Sequence, residues 1–441
     1  MTEPPAAPGA ALAHPSFNEV LRFWLKLGFI SFGGPTGQIA IMHTELVEKK
    51  RWIGEERFLH ALNYCMLLPG PEAQQLAIYC GWLLHRTWGG LAAGVLFVLP
   101  SAFILWGLSY VYVTYGNLPW IAAVFYGLKP AVLAIVAAAV LRIGSKALKN
   151  AVMWSLAALA FVAIYFLHAP FPVIIAAAAL IGYVGGLRWG KTFNVVKGHG
   201  ARSAAVIDDT HAAPAHTRPS LARAARVLGI GLVLWWLPVL LAGLATGRSA
   251  TLTQEGLFFS QAAMVTFGGA YAVLPYVAQQ AVENFHWLTA PQMLDGLGLA
   301  ETTPGPLIMV LQFVGFLGGW NHPGSLSPLL AATLGAALTT WVTFVPCFIW
   351  IFLGAPYLEQ LRSQTRLTCA LSAVTAAVVG VVLNLAVWFG GHVVLPDGHR
   401  VDWFVVSVAG LAFLALQRFK AGVISVVLAS AALGLLRHWL F

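Results

Sequence analysis

Charge is scarce in this sequence. Only 9% of the residues are Asp, Glu, Lys or Arg, against about 25% in an ordinary soluble domain. Hydrophobic residues make up 59%, and the mean hydropathy is +0.78. Apolar runs near the roughly 20 residues that span a bilayer recur along almost all 441 residues, leaving no room for a separate soluble domain. Cysteine is scarce too. Cys65, Cys80, Cys347 and Cys369 lie in apolar surroundings without CxxC spacing, and read as buried free thiols rather than a redox or metal centre. There is no HExxH, no pair of catalytic carboxylates and no nucleophile–base pair, so an enzyme is set aside and no cofactor is expected. A net charge of +9 would point to nucleic acid in a soluble chain. Here the basic residues sit in loops between apolar segments, so topology accounts for them and membrane lipid is the expected surrounding. The first apolar stretch, from Val20, follows a Pro/Ala-rich lead without an A-x-A-like cleavage site. It reads as mature protein behind a disordered tail over 1–16.

What the sequence does contain is a repeat. Phe32-Gly33-Gly34 returns as Phe267-Gly268-Gly269, 235 positions on, and Pro69-Gly70-Pro71 returns as Pro304-Gly305-Pro306 at the same offset. Between them Val47, Glu48, Trp52, Leu59 and Leu62 match Val282, Glu283, Trp287, Leu294 and Leu297, and Ser31 matches Thr266. Chance can repeat one glycine pair; it does not also place a PGP and a tryptophan in register. The chain divides into a first repeat over 17–187, a basic linker over 188–223, an extra apolar helix over 224–250 and a second repeat over 251–441. The linker histidines His199, His211 and His216 read as solvated loop residues.

Each repeat opens with two apolar segments interrupted by glycine and proline. In hydrocarbon, broken backbone is tolerated only against protein or a wet cavity. In the first repeat the basic residues cluster at 45–57, His85-Arg86, Arg142–Lys149 and the linker, whereas the turns near Tyr115–Pro119 and His168–Phe171 have no Lys or Arg. The positive-inside rule is met if the broken segments are re-entrant hairpins and the other four span. One extra crossing then inverts the second copy. Its loops 284–292 and 318–328 indeed carry no Lys or Arg, while Arg362, Arg366, Arg418 and Lys420 appear where the first copy is uncharged. The expected fold is an all-α polytopic membrane protein of two inverted-topology repeats, with nine spans and four hairpins, or thirteen spans if every broken segment crosses. The N-terminus is expected in the cytoplasm.

A helix that begins inside a membrane presents free N–H groups and a partial positive charge, and such ends bind anions. Pro35, Pro71 and Pro306 suit the first turn of half-helices. Gly33, Gly34, Gly70, Gly268, Gly269 and Gly305, with Pro69 and Pro304, let backbone approach a ligand. Gln38, Gln74, Gln75, Thr266, Thr302, Thr303 and Gln312 are candidate donors to oxyanion oxygens. Lys129, inside an apolar segment, needs a substrate anion or a carboxylate as partner. Arg22 and Lys26 snorkel to the interface, and His43 bonds a neighbour. Glu72 and Glu301 adjoin the two PGP motifs. They lie on opposite sides of those motifs and are not repeat equivalents; both are candidates for proton coupling, and Glu72, in the first turn of a half-helix, competes with an anion unless protonated. The competing reading pairs Glu72 statically with Lys129 or Arg22.

Ser31-Phe32-Gly33-Gly34-Pro35, Leu68–Leu76 (LPGPEAQQL), Gly81-Trp82, Phe267-Gly268-Gly269 and Thr303-Pro304-Gly305-Pro306 together resemble the signature of the long, two-domain chromate ion transporters over nearly the whole chain. The second motif departs from that family's pattern at Ala270, where a third glycine is usual. The resemblance implies export of chromate across a bacterial inner membrane and chromate resistance, with sulfate as a chemically similar dianion. A homodimer is a permitted assembly. Composition and spacing alone lead to a small anion; a sulfate carrier, or a channel-like or structural membrane protein, stays open at this level.

Overall fold

The computed structural model describes residues 14–32, 34–188, 193, 206–207, 219–357, 365–396 and 400–440. Gly33, the tail over 1–13 and most of the linker lie outside the described residues. Helix is the regular structure throughout, apart from one parallel bridge between Ile53 and Ile207.

The first repeat runs α1 (Phe17–Ile30), α2 (Gly34–His43), a π turn (Thr44–Lys49), α3 (Glu55–Cys65), α4 (Glu72–Tyr115), α5 (Pro119–Ala147), α6 (Ala151–Tyr165) and α7 (Phe171–Arg188). After α8 (Leu221–Thr246) the order recurs. It runs α9 (Thr251–Val265), α10 (Ala270–Gln279), a second π turn (Gln280–Asn284), α11 (Ala290–Thr302), a 3-10 turn (Leu307–Met309) with α12 (Val310–Asn321), α13 (Pro328–Gly354), α14 (Thr365–Val394), α15 (Trp403–Arg418) and α16 (Val423–Leu440). The backbone repeats at fine detail. Left-handed φ values occur at Gly34 and Gly269 (69° and 93°), at Arg51 and His286 (52° and 54°), and at Gly70 and Gly305 (114° and 104°), each pair 235 apart. The glycines are required there because other side chains rarely adopt such φ.

Helix lengths follow from the breaks. α2 has 10 residues and rises about 15 Å, half of a ~30 Å hydrocarbon core. α1, α3, α9, α10 and α11 are similarly short, with 14, 11, 15, 10 and 13 residues. α4 is two helices in one hydrogen-bonded run, separated at His85 (φ −135°, ψ 37°) and Arg86 (φ 52°, ψ −148°). Its short arm, 72–84, folds back so that Gly81 packs on Gly89 of the long arm, a close approach that small residues permit. Among the described residues seven helices are long and apolar enough to cross a membrane: α4, α5, α7, α8, α13, α14 and α16. α6 and α15 are apolar but shorter. These nine are the nine segments expected to span, and Phe103, Leu159, Leu180 and Leu244 on their outer faces are exposed, as lipid-facing side chains are.

The two repeats interlock. α5 packs on α15 and α16, the last two helices of the other repeat; α14 packs reciprocally on α6 and α7; and α5 and α14 pack on each other. At one end of the bundle Phe193 of the linker sits among Met153, Leu156 and Cys369, at the starts of α6 and α14. The linker's Ile207 pairs with Ile53 in the loop after α2. This end gathers Lys49, Arg142, Lys146 and Lys420. Here Lys49 bonds Glu45 at 2.7 Å and holds that carboxyl below the usual carboxylate range. The opposite end carries Asp402 and Arg437, paired at 3.6 Å, with Arg437 over the rings of Tyr126 and Phe404.

Candidate functional site

The breaks meet in two reciprocal pairs. The Gly70 N–H donates to Thr266 O at 2.7 Å, and the Gly305 N–H donates to Ser31 O at 2.7 Å. Thr266 is the repeat partner of Ser31, and Gly305 that of Gly70, so each PGP is tied to the other repeat's glycine break. Ser31 and Thr266 match further: each hydroxyl donates to the carbonyl four residues back, at 2.6 Å. A side chain built on Gly305 would meet Ser101 Cβ at 2.6 Å, and one on Gly70 would meet Cys347 Sγ at 2.9 Å. Pro100-Ser101 and Pro346-Cys347 are themselves repeat partners, now 246 apart because the connection after α12 is longer than the His85-Arg86 break. Exchange of contacts in this way is what a two-fold relation produces.

The starts of α2 and α12 therefore lie together, as do the starts of α4 and α10. The first N–H groups of each have no partner within their helix. At Gly34 and Gly268 nothing lies within 4 Å of the point where a side chain would begin, so main chain is open to a ligand there. The Glu72 carboxyl, half-buried, lies against Gly269, with Oε1 3.4 Å from where a side chain at Gly269 would begin. It makes no hydrogen bond or close ion pair among the described residues. The static pairing with Lys129 or Arg22 is not formed. Arg22 and Lys26 are exposed, and the cation acting on Glu72 is Lys146.

The polar side chains brace the breaks. Gln38 Nε2 donates to Gly305 O at 2.5 Å, Gln75 Nε2 to Pro69 O at 2.7 Å, Gln74 Nε2 to Gly94 O at 3.4 Å, and Gln312 Nε2 to Ala102 O at 2.7 Å. The hydroxyls of Thr266, Thr302 and Thr303 donate to carbonyls of their own helices. These amide and hydroxyl donors, candidates for the anion on sequence grounds, are engaged by backbone, and the donors left for an anion are main-chain N–H groups at Gly34, Thr36, Glu72–Gln74 and Ala270-Tyr271. His43 bonds Glu55 at 2.7 Å and lies 3.2 Å from Glu48, away from the breaks.

Lys129 is placed elsewhere. It acts electrostatically on Asp295, a buried acid on α11 that accepts from Tyr112 at 2.9 Å. Glu301, buried at the end of α11, accepts a hydrogen bond from the Tyr271 hydroxyl. Two buried acids escaped the sequence reading, Asp295 and Glu255. Glu255 is wholly buried with both oxygens unpaired, against Gly318 and Gly335. The run of glycines through α12 and α13 was the available signal: a stripe without side chains leaves room for an acid from a neighbouring helix.

Duplicated broken helices inside a set of helices long and apolar enough to cross a membrane define a multi-pass membrane protein of transporter type. The comparisons with known proteins narrow this further. The family profile described as "Chromate transporter" matches residues 18–183 and 253–435, and the chain belongs to that family. It is 29% identical over 435 residues to the "Chromate transport protein" of Cupriavidus metallidurans, covering 98% of this chain and 96% of that one. It is 30% identical over 428 residues to a protein of the same description from Pseudomonas aeruginosa, covering 95% and 92%. It is 29% identical over 401 residues to the "Probable chromate transport protein" of Synechococcus elongatus, covering 90% of each. No solved structure matches the chain.

Proposed function

We propose that this protein exports chromate from the cytoplasm across the bacterial inner membrane and so confers chromate resistance. The observation that carries this is the reciprocal tie between each PGP and the opposite glycine break. It sets half-helix starts from both repeats side by side with open main chain at Gly34 and Gly268. Partial positive ends from both repeats and the free N–H groups at the starts of α2, α4 and α10 suit a compact dianion. The relatives named as chromate transport proteins, similar over 90% or more of this chain, support the choice of anion. In this reading the transporter repeats are 17–187 and 251–441, joined by a cytoplasmic linker expected over 188–223 and the extra crossing helix expected over 224–250, which as α8 begins earlier, at Leu221. That crossing inverts the second repeat, and the N-terminus lies in the cytoplasm.

Glu72 is the coupling group in this account. Ionised, it occupies the positive end of its own half-helix and repels a dianion; protonated, it leaves that end to the substrate. Glu301 lies on the other side of the second PGP, at the end of α11 rather than at a half-helix start, and is held by Tyr271. Potential alone also favours efflux: a dianion leaving a negative cytoplasm gains about 2 × 2.3 kcal/mol per 100 mV, roughly a thousandfold in concentration. Main-chain donors do not distinguish one tetrahedral dianion from another, which favours sulfate as a competing substrate. Growth of a chromate-sensitive host tests the reading. Expression should raise the tolerated chromate concentration, and added sulfate should erode the protection; an unchanged tolerance contradicts export.

A further inference from the structure

A cavity of about 590 Å³ opens between the end of α5, the start of α10, the end of α11 and the α15–α16 turn. Its polar lining is Arg142 and Ser145 of α5, Tyr271, Glu301, Gln417 and Lys420. Its volume equals on the order of twenty waters at ~30 Å³ each, room for an oxyanion with much of its hydration shell. Two cations reach it from different repeats, Arg142 from the first and Lys420 from the second. Both side chains are exposed, and the nearby Lys149 bonds the Ser145 carbonyl at 2.5 Å. Arg142 instead acts on both members of the buried Tyr271–Glu301 pair. Those two form the cavity floor. Tyr271 is the second residue of α10, next to the Gly268-Gly269 break, and Glu301 stands just before Thr303-Pro304.

The cavity therefore abuts the paired breaks, and a hydrogen bond between a phenol and an acid stands between them. The repeat partners of Tyr271 and Glu301 are Thr36 and Met66, which cannot form such a pair. The arrangement exists on the basic end of the bundle alone.

We infer that this cavity is a vestibule that binds an oxyanion dianion between Arg142 and Lys420 before it passes the Tyr271–Glu301 pair to the breaks. An arriving dianion draws Arg142 away from the Tyr271 hydroxyl, so filling the vestibule loosens the floor below it. This deepens the transport reading given above and rests on it for the destination of the anion.

The test is thiol protection in the purified full-length protein, with Ser145→Cys as the probe position. The four native cysteines are buried and contribute little background. Sulfate is the probe anion, because chromate oxidises thiols. At sulfate about twice its Kd, maleimide labelling of the Ser145→Cys thiol should slow about threefold relative to chloride at equal ionic strength. The protection should vanish with Arg142→Gln and Lys420→Gln together and survive in part with Arg142→Lys. A thiol at Lys149→Cys should show none. If Ser145→Cys does not yield folded protein, Gln417→Cys probes the same cavity. Equal labelling in sulfate and chloride, or protection that persists in the double variant, overturns the vestibule. Protection in a protein whose vesicles carry no chromate sinks the export reading and leaves the vestibule standing; flux without protection does the reverse.

Discussion

At the scale of single residues, Gly70 and Gly305 carry a demand that no other residue meets. Each has a strongly left-handed φ, and each faces an obstacle, Cys347 Sγ at 2.9 Å or Ser101 Cβ at 2.6 Å. Gly305→Ala should cost on the order of 2–4 kcal/mol from backbone strain and overpacking together, read as a lower melting temperature of purified protein. Ser101→Gly in the same chain should recover the packing part and leave the strain; a Gly305→Ala protein as stable as the parent would contradict the geometry. Glu72→Gln should leave the fold intact and flatten the pH dependence of transport. Unchanged pH dependence would remove Glu72 from coupling. These breaks were legible because glycine and proline mark them without any partner. The roles of the glutamines and threonines were not, since a donor's partner depends on which carbonyl the fold brings to it. Glu255 and Asp295 were missed for a related reason. The burial of Glu255 is decided by glycine faces on other helices, and that of Asp295 by a helix that brings Tyr112 to it.

At the scale of elements, the half-helices and long helices were read with their order and approximate ends. Broken and unbroken apolar runs differ in sequence as they do in space. The continuation of the repeat past Gly81 was not seen, because its offset changes from 235 to 246 when the second connection lengthens, and a fixed-offset comparison loses Pro100-Ser101 against Pro346-Cys347. The inverted orientation makes a separable prediction. Lys49 and Asn284 are repeat partners, both exposed, each at the end of a π turn. An impermeant maleimide should reach Lys49→Cys only in inside-out vesicles and Asn284→Cys only in right-side-out ones. Labelling of both from one side would mean parallel repeats. The Lys49–Glu45 pair lost in the probe is an exposed i,i+4 contact worth about 0.3–0.5 kcal/mol, too little to disturb the result.

At the scale of the whole molecule, the exchange of packing between α5 and α14 was invisible in the sequence. Both helices are apolar nearly all round, and no periodicity says which neighbours they take. The exchange predicts that neither repeat is a stable unit alone. Chains severed within the linker should be degraded when expressed singly and should assemble when expressed together, as measured by co-purification; two halves each stable alone would contradict the interlocked packing. It also gives a reason for duplication. A two-fold arrangement places equivalent half-helix starts from both repeats beside each other, which one repeat cannot do.

Chromate flux into everted vesicles, with the pH gradient and the membrane potential imposed separately, tests the central claim most directly. The account predicts saturable uptake into the vesicle lumen, driven by an interior-positive potential, with a pH dependence that Glu72→Gln removes. Flux that is absent, or that rises linearly with chromate and ignores the potential, would contradict it.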